Sequence, residues 1–156
     1  TLLAAALGAA EVQIWTDVPG VMTGDPTILR DAYPIARMSY QEALELANFG
    51  ARMFHPRTMV PLTQHKIVLR IRSTMDPDAD GTRIDEHGAD AAGPTCVTSL
   101  ENLALLDVRW RRLTPEAGVG MRVLHALAQA QIPVWMANQA AHGQAVAVVV
   151  EAVAAL

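Results

Sequence analysis

Residues 15–26 read Trp-Thr-Asp-Val-Pro-Gly-Val-Met-Thr-Gly-Asp-Pro, and this stretch decides the fold of the first part of the chain. The residues before it alternate between polar and apolar side chains, so residues 11–17 are predicted to form a β-strand. Two glycines then allow the backbone to bend close to a ligand, and Asp25 before a proline is typical of a turn cap. The Thr-Asp pair at the carboxyl end of this strand offers a hydroxyl, a carboxylate and backbone groups at a sheet edge, which is where α/β folds bind ligands.

A second informative segment, residues 48–58, reads Asn-Phe-Gly-Ala-Arg-Met-Phe-His-Pro-Arg-Thr. Ser39 and Glu42 form a capping box that predicts the start of a helix, and Gly50 is expected to end it. One face of this helix is predicted to contain Tyr40, Ala43, Leu44 and Ala47. A second short helix is predicted over residues 56–65, because a proline stands near its start.

Three other stretches complete the first part of the chain. Residues 2–7 are predicted to be helical, and residues 67–73 alternate apolar side chains with arginines, as a strand does. From Met75 to Thr95 the sequence is rich in Asp, Gly and Pro, which favours a linker or an exposed loop with solvated acidic side chains.

A domain boundary is predicted near Ala92, which gives one domain over residues 1–92 and another over residues 93–156. The second domain shows a strand, a helix and two more strands, an order that predicts an α+β fold. These elements are predicted at residues 103–110, 118–131, 133–138 and 145–150, with a turn at His142-Gly143. The last strand is an uninterrupted apolar run, so we expect it to be central and covered on both faces.

Composition excludes several classes of protein. The 156 residues carry 12 basic and 16 acidic side chains, a net charge of −4, and no basic run, so nucleic acid is a poor partner. No apolar run reaches the roughly 20 residues that span a bilayer. The single cysteine, Cys96, excludes an internal disulfide and fits a reducing compartment, so we expect a cytoplasmic protein.

Residues 15–26 and 49–56 together resemble the two signature segments of the C-terminal, ATP-binding half of an aspartokinase catalytic domain. The family pattern is roughly W-T-D-V-x-G-[VI]-x-T-x-D-P-R, followed by F-G-A-K-[VI]-L-H-P. Residues 39–43 and 80–82 also fall where the family has similar residues, so the resemblance extends from residue 1 to about residue 84. It implies an amino-acid kinase fold and ATP-dependent phosphorylation of the L-aspartate side-chain carboxylate, with Mg²⁺ accompanying ATP. In the family this reaction is the first step toward lysine, threonine and methionine.

The resemblance also implies that part of the ATP side is formed by Thr16, Asp17, Met22, Asp25, Arg52 and Met53. Met22 stands where the family usually has tyrosine or another bulky residue, and methionine can still pack against adenine. Thr27 stands where the family has arginine, and Arg52 stands where it has lysine, which keeps the charge but changes its geometry. One of two expected phosphate-facing cations is therefore missing, which predicts weaker ATP binding.

Two further family segments are not found among these 156 residues, a Lys-Phe-Gly-Gly-Thr-type strand and loop and a Gly-Arg-Gly-Gly-Ser-Asp-type loop. In the family they hold the aspartate and the principal transfer lysine. We therefore assign no catalytic residue and predict no kinase activity for these residues alone. Because the chain opens in an Ala/Leu run without an initiator Met, we expect a fragment of a longer protein.

Residues 97–150 resemble the first ACT domain, a regulatory module, of an aspartokinase, and their opening strand is similar to the form fused to homoserine dehydrogenase. The resemblance implies a ferredoxin-like α+β domain that pairs in a homo-oligomer and binds a feedback amino acid through Gln139 and Asn138. Threonine-responsive members carry glutamine at position 139, and lysine-responsive members carry an acid where Trp135 stands. Threonine is therefore favoured over lysine. Few residues follow residue 150, so we expect the domain to be incomplete.

A rival interpretation belongs to a different class of protein. The chain could be a non-catalytic amino-acid-binding regulatory module, or a degenerate paralogue that pairs with a full-length kinase subunit. The substitutions at Thr27 and Arg52 favour this interpretation. His55 is expected to form a structural hydrogen bond, and the histidines show no spacing typical of a metal site.

Overall fold

The computed structural model of the chain describes residues 1–50, 53, 55–89, 93–109, 118–141 and 145–155. The chain divides into two compact units, Thr1–Ser99 and Leu100–Leu156. The predicted boundary residue, Ala92, lies outside the described residues. Residues 93–99 belong to the first unit, although the sequence had assigned them to the second domain.

The first unit is an α/β unit whose strands form one four-stranded sheet in the order β1-β3-β4-β2. Its elements are α1 (Leu2–Ala6), β1 (Glu11–Thr16), β2 (Arg37–Ser39), α2 (Tyr40–Asn48), α3 (Pro56–His65), β3 (Val68–Ser73) and β4 (Thr82–Asp85). Strand β1 pairs with β3, and β2 with β4, in parallel, whereas β3 and β4 are antiparallel. The predicted helices and the strands at 11–17 and 67–73 are confirmed.

Helix α2 begins as its sequence predicts. The Ser39 hydroxyl accepts a hydrogen bond from the Glu42 N–H at 3.1 Å, and the Glu42 carboxylate accepts one from the Ser39 N–H at 2.7 Å. The buried face of α2 consists of Tyr40, Ala43 and Leu46. Leu44, which was predicted to share a face with Tyr40 and Ala43, is 37% exposed, and Leu46 packs into the core instead.

Buried side chains from the sheet and from α2 and α3 form the core of the first unit. The largest of them are fully buried, and they are Met38, Met59, Leu62, Leu69, Ile71 and Ile84. Burial of side chains of this size contributes about 1.5–3 kcal/mol each. This core supports the sheet. The loop after β1 therefore begins at the end of a well-packed edge strand.

The prediction of a linker from Met75 to Thr95 was wrong for residues 82–85, which form the inner strand β4. The acidic side chain of Asp85 is buried rather than solvated. It accepts hydrogen bonds from the Arg83 side chain at 2.7 Å and from the Arg37 side chain at 3.1 Å. The Arg83 guanidinium, with smaller contributions from backbone N–H groups and Arg37, holds the pKa of the Asp85 carboxyl well below its usual range.

The loop before β4 is held by two arginines of β3. The Arg72 guanidinium donates to the backbone carbonyls of Pro77 and Ala79 at 2.6 and 3.1 Å. The Arg70 guanidinium donates to the Asp80 carbonyl at 3.1 Å. The alternating arginines that predicted β3 therefore also fix the path of the chain into β4.

The second unit is a three-stranded antiparallel sheet in the order β5-β7-β6 with one described α-helix. Its elements are β5 (Leu103–Arg109), α4 (Val119–Gln129), β6 (Val134–Gln139), β7 (Ala145–Glu151) and a short 3₁₀ helix (Ala152–Ala155). The predicted order of elements and the central place of β7 are confirmed. The turn predicted at His142-Gly143 lies outside the described residues.

Strand β7 is covered less completely than its sequence predicts. Val146, Val148 and Val150 are buried, and Val123 and Leu127 of α4 are among the residues packed against them. The alternate residues of β7 are only partly buried, so the prediction of two covered faces was wrong for this strand. Within the residues described, no helix is long and apolar enough to cross a membrane.

Candidate functional site

A cleft in the first unit has a volume of about 390 Å³, within the range typical of small-molecule sites. One wall is the loop after β1, from Val18 to Leu29. A second wall comes from the end of α2 and the residues after it, including Leu46, Gly50 and Met53. The last part of the lining is Val97, Thr98 and Ser99.

The loop that forms the first wall is paired with the chain that follows it. The Ile35 N–H donates to the Val21 carbonyl at 2.7 Å, and the Thr23 N–H donates to the Tyr33 carbonyl at 2.9 Å. Met22 lies between these two bonds as an isolated antiparallel bridge. The loop is therefore fixed by backbone pairing, which holds its residues in place before any ligand binds.

Thr82 of β4 also anchors this loop through its side-chain hydroxyl. Its hydroxyl accepts a hydrogen bond from the Val21 N–H at 2.8 Å and donates one to the Ile35 carbonyl at 2.6 Å. Gly20 has φ +151°, and a Cβ atom on it would lie 2.5 Å from the Thr82 hydroxyl oxygen. Only glycine therefore allows the loop to approach β4 this closely. No role for Thr82 at the site was predicted from the sequence.

Asp25 caps the turn that follows it, as predicted. Its carboxylate accepts hydrogen bonds from the Thr27 N–H at 2.8 Å and from the Thr27 hydroxyl at 2.6 Å. Its carbonyl accepts bonds from the N–H groups of Ile28 and Leu29 at 3.0 and 2.8 Å. Thr27, which replaces the arginine usual in the family pattern, thus stabilises the loop through its short hydroxyl side chain.

The structure brings together three of the six residues predicted for ATP, because Met22, Asp25 and Met53 all line the cleft. Thr16 and Asp17 are not among the residues that line it. The Thr16 hydroxyl donates to the Asp17 carboxylate at 3.1 Å. Arg52 lies outside the described residues. Nucleotide contact by Thr16, Asp17 and Arg52 stays a prediction.

A smaller cavity of about 220 Å³ lies beside α2 and is lined by Cys96 together with Glu42, Phe49 and Thr95. Burial, with a smaller effect from the nearby Glu42 charge, raises the pKa of the Cys96 thiol. A raised pKa disfavours the reactive thiolate. His55 forms the hydrogen bond that was predicted, because its Nδ1 accepts from the Arg57 N–H at 3.2 Å at the start of α3.

In the second unit, the predicted effector residues Asn138 and Gln139 are exposed on the edge strand β6. A Cβ atom on Gly120 would lie 2.5 Å from the Gln139 side-chain oxygen, so this side chain lies against the first turn of α4. The Trp135 Nε1 is buried and has no hydrogen-bond partner among the described residues. Trp110 lies outside the described residues.

No group of three or more His, Cys, Asp or Glu side chains that could hold a metal ion occurs in the described part of the chain. Among the described residues that line the larger cleft, Asp25 is the one with a carboxylate side chain. Any cation at this site would therefore take further oxygen ligands from backbone carbonyls, water or a bound anion.

Residues 1–73 match the amino acid kinase family, and these residues supply most of the lining of the larger cleft. The chain is 40% identical over 138 residues to the bifunctional aspartokinase/homoserine dehydrogenase of Haemophilus influenzae. This alignment covers 88% of the chain and 17% of that protein.

Solved structures show the same similarity. The aspartate kinase of Clostridium acetobutylicum has a TM-score of 0.82 over 97% of the chain and 35% of its own length, at 24% identity, which shows the fold. E. coli aspartokinase III, solved with lysine and aspartate, has a TM-score of 0.75 at 31% identity, over 96% of the chain and 33% of its own length. The same enzyme solved with aspartate and ADP has a TM-score of 0.69.

The first unit thus has the fold of part of an aspartate kinase. The chain belongs to the aspartokinase family. It spans about a third of the length of the solved relatives and 17% of the length of the bifunctional relative.

Proposed function

We propose that the first unit binds ATP in the larger cleft and forms the nucleotide side of an aspartate kinase. That enzyme transfers a phosphoryl group from ATP to the side-chain carboxylate of L-aspartate. The observation that carries the proposal is that Met22, Asp25 and Met53, predicted for ATP from sequence motifs far apart, line one cleft. E. coli aspartokinase III, a relative at 31% identity, has been solved with aspartate and ADP, which supports the choice of ligand.

The side chains of the cleft fit an adenine nucleotide. Met22, Met53 and Leu29 provide flexible apolar surface on opposite walls, suited to a flat aromatic base. Asp25 also lines the cleft, and its carboxylate can accept hydrogen bonds from ligand hydroxyls while it caps its turn. The loop is fixed by Thr82 and by backbone pairing, so little ordering is needed when a ligand binds.

The phosphate end of the nucleotide needs positive charge. We propose that Arg52 supplies it, as the family pattern implies, because a cation there neutralises charge that develops during phosphoryl transfer. Mg²⁺ would enter with ATP, since it binds phosphate oxygens and keeps several waters. ATP supplies the transferable phosphoryl group. The residues of this chain bind and orient it.

Calorimetric titration of the chain with ADP and ATP in Mg²⁺ tests this proposal. Saturable binding is expected, and it should weaken in Asp25→Ala, which loses both the carboxylate and the turn cap. Asp25→Asn keeps an oxygen that can accept from Thr27, so it separates the loss of charge from the loss of the cap. Heat that does not differ from dilution, for either nucleotide, contradicts the proposal.

We also propose that these 156 residues alone do not phosphorylate aspartate, because the family's Lys-Phe-Gly-Gly-Thr and Gly-Arg-Gly-Gly-Ser-Asp segments are not among them. A coupled assay of ADP release with L-aspartate checks this. Turnover above the rate without aspartate would contradict it. Threonine binding without nucleotide binding would instead favour the non-catalytic regulatory module.

For the second unit we propose feedback binding of an amino acid near Gln139, with threonine favoured over lysine. The support is the exposed place of Gln139 on β6, beside the start of α4, and the glutamine typical of threonine-responsive members. Titration with L-threonine and L-lysine tests it, with Gln139→Ala as the variant and Gln41→Ala of the first unit as the control. Threonine binding that Gln139→Ala removes is expected. Tighter binding of lysine, the amino acid present with aspartate in the solved E. coli aspartokinase III, would overturn the choice of threonine.

We further propose that chains pair through the second unit. Both β5 and β6 are edge strands of its described sheet, and an edge strand presents unpaired backbone groups to a partner strand. Sedimentation equilibrium should therefore show concentration-dependent association. A monomer at all concentrations tested would contradict this.

A further inference from the structure

Residues 95–99, which we call the strap, form the last stretch of the first unit before the second unit begins at Leu100. The segment matching the amino acid kinase family ends at residue 73, and the sequence assigned the strap to the other domain. Val97, Thr98 and Ser99 nevertheless line the larger cleft. The cleft is therefore completed by residues outside the matched segment.

The strap is hydrogen-bonded to both walls of the cleft. On the side of the loop after β1, the Val97 N–H donates to the Thr23 carbonyl at 2.9 Å. On the side of α2, the Thr98 hydroxyl donates to the Phe49 carbonyl at 3.2 Å. These two bonds join the walls, so the position of the strap fixes the width of the cleft.

A third bond holds the start of the strap. The Thr95 hydroxyl donates to the Glu42 carboxylate at 2.6 Å. The Ser39 N–H and then this hydroxyl lower the pKa of the Glu42 carboxyl, so Glu42 accepts both bonds in its charged form at neutral pH. The capping box at the start of α2 therefore also anchors the start of the strap.

We propose that the strap positions the nucleotide by holding the two walls together, with Thr98 and the Val97 N–H as its positioning groups. This inference rests on the proposed binding of ATP in the cleft. Nucleotide binding and the hydrogen-bonded position of the strap stabilise each other, because the coupling free energy between two sites acts equally in both directions. Loss of the Thr98 bond should therefore weaken nucleotide binding, and bound nucleotide should protect the Val97 amide from exchange.

The test is titration of the 156-residue chain with ADP in Mg²⁺ for Thr98→Val, Thr98→Ser and the control Thr63→Val. Thr63 also donates its hydroxyl to a backbone carbonyl, that of Met59 at 3.0 Å, but it does not line the cleft. We expect Thr98→Val to raise the Kd for ADP about three- to tenfold, the effect of one hydrogen bond. Thr98→Ser, which keeps the hydroxyl, should lose much less affinity than Thr98→Val, and Thr63→Val should bind as the unchanged chain does.

Hydrogen exchange on the unchanged chain provides a second measurement that needs no variant to fold. ADP should slow exchange at the Val97 amide, together with the amides of the loop from Val18 to Leu29. If ADP binds but Thr98→Val binds equally well, and the Val97 amide gains no protection, the role of the strap is overturned while the nucleotide site stands. If ADP does not bind the unchanged chain, the proposed function fails, and the role of the strap with it.

Discussion

Replacing Thr82 by valine should destabilise the first unit and release the loop that carries Met22. Valine has nearly the shape of threonine but lacks the hydroxyl that accepts from the Val21 N–H at 2.8 Å and donates to the Ile35 carbonyl at 2.6 Å. Thr82, Val21 and Ile35 are all buried. In the variant, the Val21 N–H and the Ile35 carbonyl would lose their hydrogen-bond partner. Water would not replace it, because both groups are buried.

The magnitude follows from the burial of these groups. A buried polar group left without its partner costs about 1–3 kcal/mol. The Val21 N–H has one hydrogen to donate, whereas the Ile35 carbonyl has two lone pairs and tolerates the loss better. We therefore expect Thr82→Val to lower the free energy of unfolding by about 2–4 kcal/mol, a large part of the 5–15 kcal/mol typical of a folded domain.

Urea unfolding followed by circular dichroism measures this free energy for the first unit. Thr82→Ser is the matched control, because it keeps the hydroxyl and loses only a methyl group, at a cost of about 1 kcal/mol. Binding of ADP should weaken in Thr82→Val and remain in Thr82→Ser. If Thr82→Val is no less stable than Thr82→Ser, the two hydrogen bonds do not hold the loop and the reasoning is refuted.

Two further predictions concern the same unit. Gly20→Ala should destabilise it, because the new Cβ would lie 2.5 Å from the Thr82 oxygen, and a melting temperature equal to that of the unchanged chain would contradict this. The second concerns pH. The pKa of Asp85 is lowered in the folded state, so its contribution to stability is complete above the unfolded pKa of about 4 and is lost as the pH falls further. Unfolding free energies measured from pH 7 to pH 3 should therefore decline below about pH 4, and less steeply in Asp85→Asn. Equal slopes for both proteins would show that another group controls acid stability.

Local signals in the sequence predicted most of the regular structure. The capping box at Ser39 and Glu42 fixed the start of α2, and a proline near the first position marked α3. Periodicity predicted β1, β3 and α4, and an uninterrupted apolar run marked β7. These features depend on neighbouring residues, which a single sequence displays.

The strands β2 and β4 were missed for a physical reason. They contain three and four residues, too few to show a period, and β4 follows a stretch rich in Asp and Gly. Their stability comes from partners far along the chain, including the Arg37–Asp85 ion pair at 3.1 Å. The exposed position of Leu44 was likewise set by tertiary packing rather than by helical spacing.

The candidate site was predicted in part. Motif spacing identified Met22, Asp25 and Met53, which line one cleft. The hydrogen bond from Val21 to Thr82 spans 61 residues, and no local pattern predicts such a contact. The match of residues 80–82 to the family pattern was the one signal that could have pointed to Thr82.

Methionine-methyl NMR during titration with Mg²⁺ and ADP tests the central claim most directly, because the chain contains only 7 methionines. Met22 and Met53 line the cleft, whereas Met121 and Met136 are exposed in the second unit and report non-specific effects. Nucleotide binding in the cleft predicts saturable shifts of the Met22 and Met53 signals, with those of Met121 and Met136 unchanged. Unchanged Met22 and Met53 signals at high ADP concentration would contradict it.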